Sequence, residues 1–133
     1  MIENNGREIR YDILMREDAK GGGLFYFCEC KYRADDASAA EVKSKLKEFL
    51  AKALDSLDYL THKYEDGGFC FLFVTSVPFG IREGDLRDIE KIKGLLEDPS
   101  ADTEKLTLLS KSVRLMIVPH WLMSTLHERV DAL

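Results

Sequence analysis

The sequence has no charge-free apolar run long enough to cross a bilayer, which argues against a membrane-spanning segment. The few residues before Arg7 also lack the apolar segment of a secretory signal, so we expect a cytoplasmic protein. Cysteine is scarce: three cysteines, an odd number, do not suggest a disulfide framework and suit a reducing compartment. Walker-type phosphate loops and dinucleotide fingerprints are absent, because the glycines at 21–23 stand too near a predicted hairpin tip to open a helix.

An excess of positive charge is missing as well, since the 133 residues carry a formal net charge of −5. This balance argues against a non-specific nucleic-acid coat, although an acidic protein can still carry a local basic patch. The hydrophobic content is 45%, in a chain long enough to bury a real core. The sequence therefore predicts one compact domain over residues 1–133.

Two segments near the N-terminus predict an antiparallel hairpin. Residues 7–15 alternate like a half-buried strand, with Tyr11 and Ile13 on one face and Asp12 on the other. A polar, glycine-rich stretch follows, and it is typical of the turn that closes a hairpin. The second strand is the aromatic segment over residues 24–33, which we expect to be buried on at least one face.

Glu29 and Lys31 are charged residues in the middle of this aromatic strand, and residues two apart on a strand share a face. Buried charge is costly unless it is paired or bound to an ion. If the numbers of opposing hairpin residues sum to 41, Asp12 lies across from Glu29; if they sum to 43, Asp12 faces Lys31. Both registers put the three residues on one face, whereas a three-residue turn would send Asp12 to the other.

A long helix is predicted after the hairpin, from a capping box of Ser38 and Glu41 to Tyr64. Its apolar residues recur at helical spacing: Val42, Leu46, Phe49, Leu50, Ala53, Leu54, Leu57 and Leu60. Five lysines fall mostly outside this stripe: Lys43, Lys45, Lys47, Lys52 and Lys63. The first four could follow a nucleic-acid backbone, but their interleaving with Glu41 and Glu48 is more typical of a solvated helix face.

The remaining elements predict an α/β fold. Residues 69–77 form a continuous apolar run, typical of a strand covered on both faces, and complete a crossover that is right-handed by default. A second helix is predicted from Asp85 to a stop near Asp98. Three elements complete the chain: a short helix over 103–110, a strand over 113–118 and an amphipathic helix over 121–133. This order predicts a three-layer-like sandwich in which helices flank a mixed sheet.

Asp12 on a first strand, a glycine turn, and Glu29-Cys30-Lys31 on the second strand resemble the Asp…Glu-x-Lys signature of the restriction-endonuclease-like PD-(D/E)XK nucleases. The order of elements over residues 7–77 is also similar to that family's core, so the resemblance covers about half of the chain. Family members usually begin with a helix, which has no counterpart before the hairpin here. The C-terminal helix, a partner subunit or a longer parent chain would have to supply it.

The resemblance implies a magnesium-dependent nuclease that hydrolyses phosphodiester bonds of nucleic acid, DNA more than RNA, with Mn²⁺ as a second candidate metal. It assigns Asp12 and Glu29 as metal ligands together with the main-chain carbonyl of Cys30, and Lys31 as the catalytic cation. Independently of the resemblance, two carboxylates on one sheet face repel each other, and a divalent cation relieves that repulsion. Because so small a chain offers little surface to wrap a duplex, we expect a homodimer or a partner domain.

Three other interpretations stay open. The charged residues could form a cross-strand salt-bridge ladder on a solvated face, where ion pairs contribute little to stability. The chain could be a nuclease-like domain that no longer cuts and acts as a binding or dimerisation module. The acidic charge and the absence of a first helix favour this second interpretation. The third is a structural α/β domain with an unrelated ligand.

Cysteine and histidine side chains are weaker candidates for a site. Cys28, Cys30 and Cys70 could be thiolate ligands, but buried free cysteine is common and core packing is favoured. His120 and His127 are seven residues apart and share a face of the last predicted helix. No third ligand accompanies them in the sequence pattern, so we do not expect a metal site there.

Overall fold

The structure, a computed structural model, describes residues 2–4, 7–9, 11, 13–19, 22–31, 39–63, 68–76, 79–98 and 100–118. The first element is a small hairpin of β1 (Ile2–Asn4) and β2 (Arg7–Ile9), which pair antiparallel as a sheet of their own. The prediction of a single strand over residues 7–15 is therefore wrong, because β2 ends at Ile9 and the next strand begins at Ile13.

Tyr11 lies between these two strands and on a face that strict alternation does not give. Leu14 pairs with Phe27, so the two share a face, and alternation would put Tyr11 on the opposite one. Instead, the Tyr11 ring packs against Phe27 and Phe71, with ring centroids 5.3 and 5.9 Å apart. The interruption of the strand allows this aromatic side chain to enter the core.

The main sheet has four strands: β3 (Ile13–Ala19), β4 (Gly22–Lys31), β5 (Phe69–Thr75) and β6 (Val113–Ile117). They lie in the order β3-β4-β5-β6, with the first pair antiparallel and the other two pairs parallel. The hairpin pairs Ile13 with Cys28 and Ala19 with Gly22, so the register in which residue numbers sum to 41 is confirmed. The predicted mixed sheet is confirmed with it.

Helix α1 (Ala39–Lys63) joins β4 to β5 and confirms the long predicted helix. Seven side chains of its apolar stripe are buried: Val42, Leu46, Phe49, Leu50, Ala53, Leu57 and Leu60. They recur every three or four residues and therefore form one face, which packs on the sheet. Ser38, the predicted N-cap, lies outside the described residues.

The predicted second helix is two elements. A 3₁₀ helix over Glu83–Arg87 precedes α2 (Ile89–Leu96), and the N-cap of α2 is Asp88 instead of Asp85. The Asp88 carboxylate accepts a hydrogen bond from the amide of Glu90 at 3.0 Å, which satisfies an amide that the first turn leaves without a helical partner. The predicted short helix is confirmed as α3 (Thr103–Ser112).

Strand β5 is less evenly covered than its apolar run predicted. The side chains that face α1 are buried: Phe69, Phe71 and Phe73. On the other face Cys70 and Leu72 are half-buried, and only Val74 is fully covered. The prediction that this strand is covered on both faces is therefore confirmed only for its C-terminal part.

The described helices share one hydrophobic core with a single face of the sheet. This core joins the α1 stripe to side chains of α2, α3 and the strands: Ile92, Leu106, Leu109, Phe27, Phe71, Phe73, Val113 and Leu115. Over the described residues, the fold is a mixed α/β arrangement with its helices on one face of the sheet. The helix predicted over 121–133, and with it the predicted third layer, lies outside the described residues. The described helices also include none with the length and apolar character needed to cross a membrane.

Candidate functional site

Glu29 is the predicted site residue whose environment is best defined. It lies near the C-terminal end of β4, where it pairs with Phe73 of β5. It lies two residues after Phe27 on the same strand, so both side chains point to the same face of the sheet. The Glu29 side chain therefore enters the core beneath α1, and the residue is only 6% exposed. A carboxylate at this depth is costly unless a cation or hydrogen-bond donors compensate its charge.

Lys52 of α1 supplies that compensation. Its Nζ donates a hydrogen bond to the Oε1 atom of Glu29, and the two side chains form an ion pair between helix and sheet. The Lys52 side chain is 27% exposed, so the ammonium retains some contact with water while the carboxylate retains little. A buried carboxylate of the sheet and a partly exposed lysine of the helix are therefore paired.

Tyr11 and Ser56 support the lysine from the other side. Lys52 Nζ lies 4.7 Å from the centre of the Tyr11 ring, within the range of a cation–π contact. The Ser56 hydroxyl donates to the Lys52 carbonyl at 2.8 Å, so Tyr11 Oη donates to Ser56 Oγ, also at 2.8 Å. Burial is the main cause that raises the pKa of Tyr11 above its ordinary value, and its hydroxyl therefore stays protonated as a donor.

The other predicted site residues are less fully described. Cys30 pairs with Val74 and Lys31 with Thr75, at the C-terminal ends of two parallel strands. Cys30 is half-buried, and the side chain of Lys31 lies outside what the structure describes. Asp12 is also outside the described residues, so its convergence with Glu29 stays a prediction. A solvated salt-bridge ladder is wrong for Glu29, which is buried.

Sequence reasoning missed Lys52, which it assigned to a solvated helix face. Lys52 follows Phe49 by three residues and precedes Ser56 by four, and both of these are buried on the face of α1 that packs on the sheet. Residues at these spacings are neighbours on a helix. A lysine next to buried residues on a helix indicates that a carboxylate on the facing element pairs with it. Glu29 was the charged residue of the aromatic strand that still lacked a partner in the sequence analysis.

The cysteines do not form a second site among the described residues. Cys28 is buried, and burial raises the pKa of its thiol to about 12, so the reactive thiolate is scarce at neutral pH. Burial also raises the pKa of Cys70. Within the described ranges, no three His, Cys, Asp or Glu side chains come together as a metal site. His120 and His127 lie outside those ranges.

Replacing Lys52 is expected to destabilise the protein more than replacing Glu29, although either change breaks the same ion pair. Lys52→Met should lower the free energy of unfolding by about 1–3 kcal/mol, since a buried carboxylate loses its ammonium partner. Glu29→Gln should cost less, because Lys52 is already partly exposed and its ammonium can turn to water. Urea unfolding of the single and double variants measures these costs.

The double variant should lose about 1 kcal/mol less than the sum of the single losses, as contacting residues do. Lys47→Met is the matched control, because Lys47 pairs with Glu97 at 2.6 Å on the exposed surface of α1 and α2. Its cost should stay within about 0.5 kcal/mol. Strictly additive losses would show that Glu29 and Lys52 contribute independently.

Comparison of this chain with family models, with curated proteins and with solved structures finds no match. The resemblance to the PD-(D/E)XK nucleases therefore rests on the residues of the hairpin and on the order of elements.

Proposed function

We propose that the protein is a metal-dependent phosphodiesterase that hydrolyses nucleic acid, DNA more than RNA, with a restriction-endonuclease-like core. The observation that carries the proposal is the burial of Glu29, a carboxylate kept 6% exposed in an otherwise aromatic strand. Such a group is costly for folding, so its presence is better explained by a role in chemistry than by stability. Asp12, Glu29 and Lys31 are the proposed catalytic residues.

The position of Glu29 in the sheet supports the same proposal. Glu29 and Lys31 lie toward the C-terminal end of β4, beside the end of the parallel strand β5. Ligands of open α/β sheets bind outside the carboxyl ends of the strands.

Glu29 fits Mg²⁺ or Mn²⁺ in the chemistry of its ligand atoms. Mg²⁺ is bound through one or two carboxylates and keeps several waters, so Glu29, Asp12 and the Cys30 carbonyl are a sufficient set of oxygen donors. When bound, the metal would lower the pKa of a water and neutralise charge on the phosphate. Lys31 would orient that water or stabilise the phosphate as a compact positive charge.

The Glu29–Lys52 pair favours one alternative, a nuclease-like domain that binds or dimerises without cutting. In this alternative Lys52 is the permanent counter-ion of Glu29, and the carboxylate never needs a metal. The net charge of −5 is in keeping with a protein partner in place of a nucleic acid. A homodimer is proposed for the nuclease, because one small domain offers little surface to a duplex. In the alternative, self-association is itself a proposed role of the domain.

A cleavage assay on the full chain decides between them. Single- and double-stranded DNA and RNA are incubated with the protein and Mg²⁺, Mn²⁺ or EDTA. The nuclease hypothesis expects cleavage of at least one substrate with a metal and none with EDTA. Absence of cleavage with either ion would reject the enzyme, and sedimentation of the same samples would then measure self-association and substrate binding.

A further inference from the structure

Lys52 already supplies a positive charge to the carboxylate that would bind a metal ion at Glu29. Its Nζ is hydrogen-bonded to a Glu29 carboxylate oxygen beneath α1, while the Lys52 side chain as a whole is 27% exposed. Ring contact with Tyr11 at 4.7 Å holds the same ammonium from another direction. One buried carboxylate thus already has a cation, and this cation belongs to the chain itself.

Two cations cannot share this carboxylate without strong repulsion. The attraction of Glu29 for one positive charge is offset by the repulsion between that charge and a second one a few ångströms away. Water screens such repulsion poorly at a site this deep, since interactions of buried charges are screened less than those on the surface. Lys52 would therefore weaken the binding of a divalent cation at Glu29 for as long as the two side chains stay paired.

We propose that Lys52 is an internal competitor for the metal site, which neutralises Glu29 in the metal-free protein and lowers the affinity of Glu29 for a divalent cation. This inference rests on the proposed function, in which Glu29 is a metal ligand. Lys52 is then a positioning residue that acts through Glu29. It keeps the carboxylate folded into the core when no metal is bound, and its release makes the carboxylate available.

The geometry allows Lys52 to move without dismantling the fold. Its side chain is 27% exposed, so a rotation about its flexible stem can carry the ammonium into water. The backbone of the same residue stays anchored, because the Ser56 hydroxyl donates to the Lys52 carbonyl within α1. Only the side chain has to change position.

Calorimetric titration of the full chain with Mn²⁺ tests this competition. Lys52→Met removes the competing ammonium and should tighten Mn²⁺ binding by about tenfold or more, where tenfold corresponds to about 1.4 kcal/mol. Lys52→Arg retains the positive charge and can pair with both carboxylate oxygens, so it should bind Mn²⁺ no more tightly than the wild type. Lys47→Met, a lysine change on the same helix whose partner is the exposed Glu97, should leave binding unchanged.

A purely structural lysine gives the opposite result, because its loss would loosen the site and weaken Mn²⁺ binding. Loss of binding in Glu29→Gln would show that the wild type binds Mn²⁺ through Glu29. If Lys52→Met then binds Mn²⁺ as weakly as the wild type or more weakly, the proposed competition is wrong, but the metal site stands. If neither the wild type nor Lys52→Met binds Mn²⁺, the proposed metal site is wrong and the inference is overturned with it. Circular dichroism checks the folding of Lys52→Met, and Lys52→Gln replaces it in the same titration if that variant is unfolded.

Discussion

Lys31→Ala and Asp12→Ala are each expected to reduce metal-dependent cleavage by at least about 100-fold, the scale on which loss of one charge-stabilising group acts in a transition state. In the proposed mechanism Asp12 binds the metal and Lys31 acts on the attacking water or the phosphate, so neither can be replaced by the other. Initial rates on the best substrate, with saturating Mg²⁺, measure the loss.

Lys45→Ala is the control for this prediction. Lys45 is an exposed lysine of α1 that pairs with Glu48 at 3.3 Å, so its removal changes charge by the same amount away from the hairpin. Its cleavage rate should stay within about twofold of the wild type, and its stability within about 0.5 kcal/mol. Full cleavage by Lys31→Ala, in a preparation that circular dichroism shows to be folded, would remove Lys31 from the mechanism.

Phe71→Ala is expected to cost about 3–5 kcal/mol of unfolding free energy, the range for truncating a buried phenylalanine. Phe71 is completely buried on β5, and its ring packs against Tyr11, Phe27 and Phe69 with centroids 5.7–5.9 Å apart. Removal of the ring leaves a cavity in the middle of the sheet, where neighbouring strands limit collapse. Thermal unfolding should show a midpoint lower by about 10–20 °C.

The same cavity lies next to the Glu29–Lys52 pair. Phe71 packs against the ring of Tyr11, and the Lys52 ammonium lies over that ring. Leu108→Ala is the comparison, since Leu108 is 43% exposed on α3 and its truncation should cost less than about 0.5 kcal/mol. A loss below about 1.5 kcal/mol in Phe71→Ala would mean that the core repacks around the gap.

The hairpin register and α1 could be predicted from the sequence, because both depend on local spacing. The turn residues left a few registers open, two of them with Asp12 on the face of Glu29, and the structure has the one that sums to 41. The stripe of α1 recurs at helical spacing and is buried as expected. The strand over 7–15 was wrong because alternation alone does not reveal the break between Ile9 and Ile13.

The candidate site was predicted only in part. The position of Glu29 within an aromatic strand indicated a carboxylate that needs a charge partner or a bound ion, and the structure shows it buried and paired with Lys52. The identity of its partner could not be derived, because α1 carries five lysines and a pattern of residue types does not give the rotation of the helix over the sheet. Asp12 and Lys31 remain predictions as catalytic groups.

The sequence by itself determined the alternating and helical periodicities, and therefore most of the elements and their buried faces, because these are properties of neighbouring residues. Only the tertiary structure decided that Lys52, 23 residues from Glu29, is the counter-ion of that carboxylate. The physical reason is that such a contact depends on how α1 lies across β4 and β5, and that placement is set by the packing of the whole core.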